Sequence, residues 1–176
     1  MQNWEVALQK FLAPYLTQDN FEGAILCGSY ASGNQNEFSD IDVQIIFSDN
    51  NKWRERGNRY VDGFLIEYFV EPIFKLQKQL VDGLEENSLT IAVIIGYGKI
   101  LYDRHGLVKQ LQAEALSYFD KEFAPVSESK RRQSLYGIYD TLDEFKSQLS
   151  EGFNTDITYG QLIVKMLNIY CCCHGL

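Results

Sequence analysis

Apolar runs long enough to cross a bilayer are missing from this 176-residue chain, which excludes a helical membrane span. The opening residues, MQNWEVALQK, lack a basic segment followed by an apolar core. No secretory signal is expected, and the reading places the protein in the cytoplasm. Cysteines are few and poorly spaced for bridges: Cys27 stands alone, and Cys171, Cys172 and Cys173 are adjacent. That is no disulfide framework, and it fits a reducing compartment. Cys171 to His174 does not make a zinc site, because structural zinc takes spaced ligand pairs and a second pair elsewhere. The other histidine is His105, in what reads as a turn. Packing of a C-terminal helix accounts for the cysteines. Basic charge is also short: 16 Lys and Arg stand against 24 Asp and Glu, a net charge of −8. A protein that grips long nucleic acid usually shows a basic face, so a small or cationic substrate suits this chain better. Internal repeats and low-complexity segments are absent.

What is present suffices for a core: 45% of residues are hydrophobic and 14% aromatic. The length suits one domain of ordinary size with a small appendage. Apolar residues Trp4, Leu8, Phe11, Leu12 and Tyr15 recur at helical spacing, so a helix is expected over 3–17, kinked or ended near Pro14. A buried strand follows over Gly23 to Cys27, a small polar loop over 30–39, and a second strand in DIDVQIIF. SDNNK reads as a turn. Asp62-Gly63 is a preferred two-residue turn and makes NRYVDGFLIEYFV a hairpin. Helices are expected from Pro72 to about Gly83 and over TIAVIIGYG, a strand in KILYD, and a helix over GLVKQLQAEALSYF. Two more helices follow Pro125. The fold class is α+β with a C-terminal helical segment, divided as 1–123 and 124–176. Lys130 to Arg132 read as a solvated helix face, and Tyr97, Tyr102, Tyr118 and Phe119 as core.

The chemistry concentrates in CGSYASGNQNEFSDIDVQIIF, Cys27 to Phe47. Strand side chains alternate, so Asp40 and Asp42 share a face. Two unpaired carboxylates there would repel, and a hard divalent cation such as Mg²⁺ takes oxygen ligands of this kind together with substrate phosphates. Gly28 lets backbone approach phosphate, and the Ser29 hydroxyl with nearby N–H groups can hold phosphate oxygens. Gly28 and Gly33 also fit the glycine spacing of a P-loop, but Asn34 stands where the lysine belongs. Glu67, set in the apolar FLIEYFV, is the candidate third acid, as metal ligand or as general base. Glu71 is the alternative, though Pro72 makes it look terminal.

These residues resemble the signature of the nucleotidyltransferase superfamily related to DNA polymerase beta. Gly28, Ser29, Gly33, Ser39, Asp40 and Asp42 all fall on it. VDGFLIEYFVEP and GKILYDRHG are similar to the branch that holds the aminoglycoside nucleotidyltransferases and the minimal nucleotidyltransferases. The resemblance covers about Gly23 to Phe123. It implies a mixed sheet flanked by helices, two Mg²⁺ ions on Asp40, Asp42 and Glu67, and an NTP, with ATP the expected one, held at Gly28, Ser29 and Ser39. It implies transfer of a nucleoside monophosphate to a hydroxylated acceptor. The chain departs from many members in carrying Tyr30 and Ser32 where a basic residue follows the Gly-Ser pair. Arg54, Arg56, Arg59 and Lys99 are the substitutes on offer.

The expected protein is therefore an Mg²⁺-dependent adenylyltransferase, with an aminoglycoside-like acceptor suggested by the acidic balance. The helical tail resembles the start of an acceptor-shaping domain and is short for it. A homodimer would complete the pocket, or the natural chain would continue past Leu176. Two rivals stand beside this reading: a nucleotidyltransferase acting on a partner protein, marked by a small helical partner, and an inactive nucleotide- or partner-binding descendant.

Overall fold

The computed structural model describes residues 3–48, 53–86, 88–123 and 125–174, the side chains of 86 and 172–174 apart. Most of the expected SDNNK turn and the side chains of Cys172, Cys173 and His174 therefore lie outside the described residues. The chain divides into two compact units, Met1–Lys121 and Glu122–Leu176.

The first unit is built on a mixed five-stranded sheet. Its strands are β1 (Phe21–Leu26), β2 (Ile41–Phe47), β3 (Glu55–Val61), β4 (Phe64–Pro72) and β5 (Lys99–Asp103). They lie in the order β3-β4-β2-β1-β5. β2 and β4 are parallel, and the other neighbours are antiparallel. Helix α1 (Asn3–Leu16) covers one face. Its Leu8, Phe11 and Leu12 pack on Ala24, Leu26, Val43, Ile45, Phe47, Ile66 and Val70. Helices α3 (Ile73–Glu86), α4 (Thr90–Gly96) and α5 (Leu107–Ser117) cover the other, where Leu76, Leu80, Ile95 and Leu111 meet Ile25 and Ile46. The alternation of each strand explains the division, because Ile25 and Ile46 point away from the face of Ala24 and Ile45.

The expected end near Pro14 is met, since α1 stops at Leu16, while two other expectations need correcting. Arg104 supports that helix end by donating to the carbonyls of Leu16, Gln18 and Asp19. The loop expected from residue 30 begins as a short helix, α2 (Gly28–Ser32). It has no apolar periodicity to announce it; Tyr30 is instead held by Trp4, ring centroids 5.0 Å apart. Tyr97, expected in the core, is exposed and leans on Phe119; Tyr118 is buried, and Tyr102 and Phe119 are partly so.

The β3–β4 turn takes the form its residues favour. Asp62 and Gly63 both have positive φ, 49° and 88°, which suits the right-handed twist of the flanking strands.

The second unit is a helical pair, α6 (Glu128–Ser150) and α7 (Asp156–His174). Ser127 caps α6, its side chain accepting from the Lys130 N–H. Lys130 to Arg132 are exposed on α6. Leu135, Tyr139, Ile163, Met166, Leu167 and Tyr170 are substantially exposed. Among the described residues no helix is long and apolar enough to cross a membrane.

Candidate functional site

Asp42 and Glu67 are register partners across the parallel β2–β4 pair. Both alternate away from α1, since their neighbours Ile41, Val43, Ile66 and Tyr68 fill the α1 side of the sheet. Asp40 precedes β2 by one residue. One carboxylate oxygen from each of Asp40, Asp42 and Glu67 lies within 4.8 Å of the others, and all three residues are half-buried. Among the described residues they form the one cluster of acids, cysteines or histidines close enough to share a cation.

The crowding leaves an electrostatic mark. The Asp42 carboxyl is pushed up to about 6, first by burial, then by the charges of Asp40 and Glu67 and a hydrogen bond with Glu67. Hard oxygen donors in a like-charged group are the setting that Mg²⁺ accepts.

Helix α2 starts beside this cluster. The Cys27 N–H donates to the Asp42 carbonyl at 2.9 Å, tying the two segments together. Gly28 follows with φ +62°, and a Cβ there would collide with the Asp42 carboxylate. Glycine is thus required twice, for its backbone angle and for its lack of a side chain. No side chain caps the first turn of α2, where half-buried Ser29 sits. Ser39 already has work in its loop: its Oγ accepts from the Asn36 N–H at 3.0 Å. Cys27 is buried, and burial pushes its thiol up to about 12, which leaves it no use as a nucleophile at neutral pH.

A cavity of about 350 Å³ opens on this face of the sheet. Gly28, Asp42 and Glu67 line it together with Arg54, Glu71 and Ile94. Glu71 is almost fully buried and is not in the acid cluster. It is paired instead with Arg54 at 2.6 Å and accepts from Gln79 at 3.0 Å.

The four basic residues raised by the sequence divide between the two faces. Arg56 donates to Glu67 Oε1 through Nη2 at 2.7 Å and Nε at 3.2 Å, and its guanidinium lies 4.8 Å from the centre of the Phe69 ring. Arg54 lines the cavity. Arg59 is opposite Ile66 and faces α1. Lys99 lines a separate hollow with Trp4, Leu8 and Leu12. Sequence reasoning could not choose among them because β3 is a polar edge strand; its start at Glu55 fixes which side chains share the face of Glu67. His105 pairs with buried Glu22 at 2.8 Å, away from the acids.

Comparisons with known proteins point to one family. The family model described as "Polymerase beta, Nucleotidyltransferase" matches residues 10–106, more than half of the chain. The fold is similar to the crystal structure of a nucleotidyltransferase-like protein from Exiguobacterium sibiricum, with a TM-score of 0.52 and 12% sequence identity. The match covers 97% of this chain and 56% of that one, so the present chain spans little more than half of its length. No curated protein matches the sequence.

Proposed function

This chain belongs to the polymerase beta nucleotidyltransferase family, and on that premise we propose that it transfers AMP from ATP to a hydroxyl of an acceptor. The observation that carries the proposal is the convergence of Asp40, Asp42 and Glu67 beside Gly28. The donor set fits Mg²⁺, and these three acids would hold one ion or two. Bound there, Mg²⁺ would neutralise charge that develops on the transferred phosphoryl group.

The remaining work falls to the chain itself. Gly28 permits close approach of the β- and γ-phosphates, and the Ser29 hydroxyl and free N–H groups of the first α2 turn hold their oxygens. Ser39 sits at the rim of the same loop as a further phosphate contact. Glu67 completes the metal site or accepts the proton of the attacking hydroxyl. The acceptor oxygen bonds to the α-phosphorus, the bond to the β-phosphate oxygen breaks, and pyrophosphate leaves. The approach of Glu67 to Asp42 supports a chemical role over a binding-only one.

Residues 1–123 carry this chemistry, residues 124–176 form a separate helical region, and a homodimer or a small helical protein is the proposed partner. The acidic balance supports a cationic, aminoglycoside-like acceptor, and the proposed compartment is the cytoplasm. Incubation with each labelled NTP, Mg²⁺ and a panel of hydroxylated acceptors tests the reading. Labelled acceptor and equimolar pyrophosphate are expected, with ATP the best donor. Silence across all four NTPs and every acceptor, small molecule or protein, would remove it.

A further inference from the structure

A nucleotide triphosphate and three carboxylates together carry more negative charge than two divalent cations supply. Helix α2, Gly28 to Ser32, carries no basic side chain. Some other group must offset the excess. Among the described residues, the cation in direct contact with the acid cluster is Arg56, through Glu67. Its side chain is 64% exposed, so it is held at the mouth of the site rather than locked inside it. Phe69 supports the guanidinium from one side and leaves its other donors free to turn.

We infer that Arg56 is a partner-exchanging arginine: it neutralises Glu67 in the empty site and binds the triphosphate once a divalent cation takes Glu67. The inference rests on the nucleotidyl-transfer reading and adds the residue that offsets triphosphate charge. Both Arg56 donors converge on Glu67 Oε1, and a divalent cation drawn to Glu67 competes with them for the carboxylate charge and repels the guanidinium. Metal binding therefore releases the arginine at the moment when phosphate charge arrives. Arginine suits the second partner as well as the first, since its planar fork matches phosphate oxygens as it matches a carboxylate. Arg54 does not share this freedom. It is paired to Glu71, whose side chain is only 2% exposed, and breaking that pair would strand a buried charge.

Two binding measurements on Arg56→Gln test the exchange without turnover. Titration with Mn²⁺ alone reads the first partner. Removing the arginine should tighten Mn²⁺ binding by several-fold, because a competitor for Glu67 and a repelling charge both go. Titration with ATP in the presence of Ca²⁺ reads the second partner. There the same variant should bind about tenfold more weakly, the scale of one charge-assisted hydrogen-bonded contact. AMP affinity should not change, and Arg56→Lys should recover part of the ATP loss. Arg59→Gln, on the opposite face, should match the unmodified protein in both titrations. Mn²⁺ binding that is unchanged or weaker in Arg56→Gln would overturn the exchange, as would unchanged ATP binding or an equal loss of AMP and ATP. In those cases the unmodified protein still binds ATP, and the nucleotidyl-transfer reading stands. If the unmodified protein binds no NTP with any divalent cation, both fall together.

Discussion

Asp42 and Glu67 face each other across two parallel strands, and Glu67 spends its other contact on Arg56. The acid pair is thus built into the sheet ladder, while its counter-charge comes from a neighbouring edge strand. Substitutions in the pair and around it should therefore have separable effects.

Asp42→Asn keeps the shape of the side chain and removes its charge. Turnover with a productive acceptor should fall at least about a hundredfold, the scale seen when a group stabilising transition-state charge is removed. The fold should survive, because one member of a repelling set is gone. Ser29→Ala should be milder and should raise the KM for NTP, since it removes a phosphate hydrogen bond common to ground and transition states. Near-normal kcat in Asp42→Asn would remove metal-assisted transfer from the reading.

The same substitution has a pH signature. The Asp42 carboxyl is raised to about 6 in the fold, against an ordinary value of 3.8. Its contribution to stability is therefore fully present below 3.8 and is lost as pH rises through 6. Melting temperatures in EDTA from pH 4 to 7 should show the unmodified protein losing stability relative to Asp42→Asn across that window. A constant difference between the two proteins would mean that neither burial nor the neighbouring acids perturb Asp42.

Cation and nucleotide together should stabilise the protein by linkage. Millimolar Mg²⁺ with ATP should raise the melting temperature of the unmodified chain and do little for an Asp40→Asn, Asp42→Asn double variant. Equal shifts in both would place the nucleotide elsewhere.

Two glycines separate strain from collision. Gly28 and Gly33 both have positive φ, 62° and 77°, but only at Gly28 would a Cβ strike the Asp42 carboxylate; at Gly33 it meets open space. Gly33→Ala should cost about 1 kcal/mol from backbone strain alone. Gly28→Ala should cost more and also abolish transfer, because Asp42 must move. Denaturant midpoints and activity on the two variants measure the difference. Equal costs with activity retained in both would show that Gly28 does not constrain Asp42.

The acids were legible in the sequence for local reasons. Asp40 and Asp42 announce themselves by spacing, and Glu67 by sitting between apolar neighbours that a solvent-facing glutamate would not have. The strand neighbour that brings Glu67 to Asp42 could be expected, but not its direction, because a hairpin at Asp62-Gly63 leaves open how β4 meets β2. Helix α2 was illegible because five small or polar residues carry no periodicity, and its Tyr30 is held by Trp4 from a distant part of the chain. The division of Arg54 and Arg56 from Arg59 and Lys99 was illegible too. For the three arginines it depends on where the polar edge strand β3 begins, and side-chain burial gives no sign of that point; Lys99 stands on β5 instead. Glu71 stands at the end of β4, as Pro72 suggested, but its burial and its ion pair with Arg54 were not legible.

The strict alternation of β2 has a consequence for how the chain finds its structure. Ile41, Val43, Ile45 and Phe47 meet α1, while Asp42 looks the other way. A pairing error of a single residue would drive the Asp42 carboxylate into the packing of Leu8, Phe11 and Leu12 and turn Val43 and Ile45 toward the cavity. Placing an unpaired carboxylate there costs several kcal/mol. The residues kept for chemistry thus act as proofreaders of strand alignment, and a chain that discarded them for apolar ones would have more than one way to assemble.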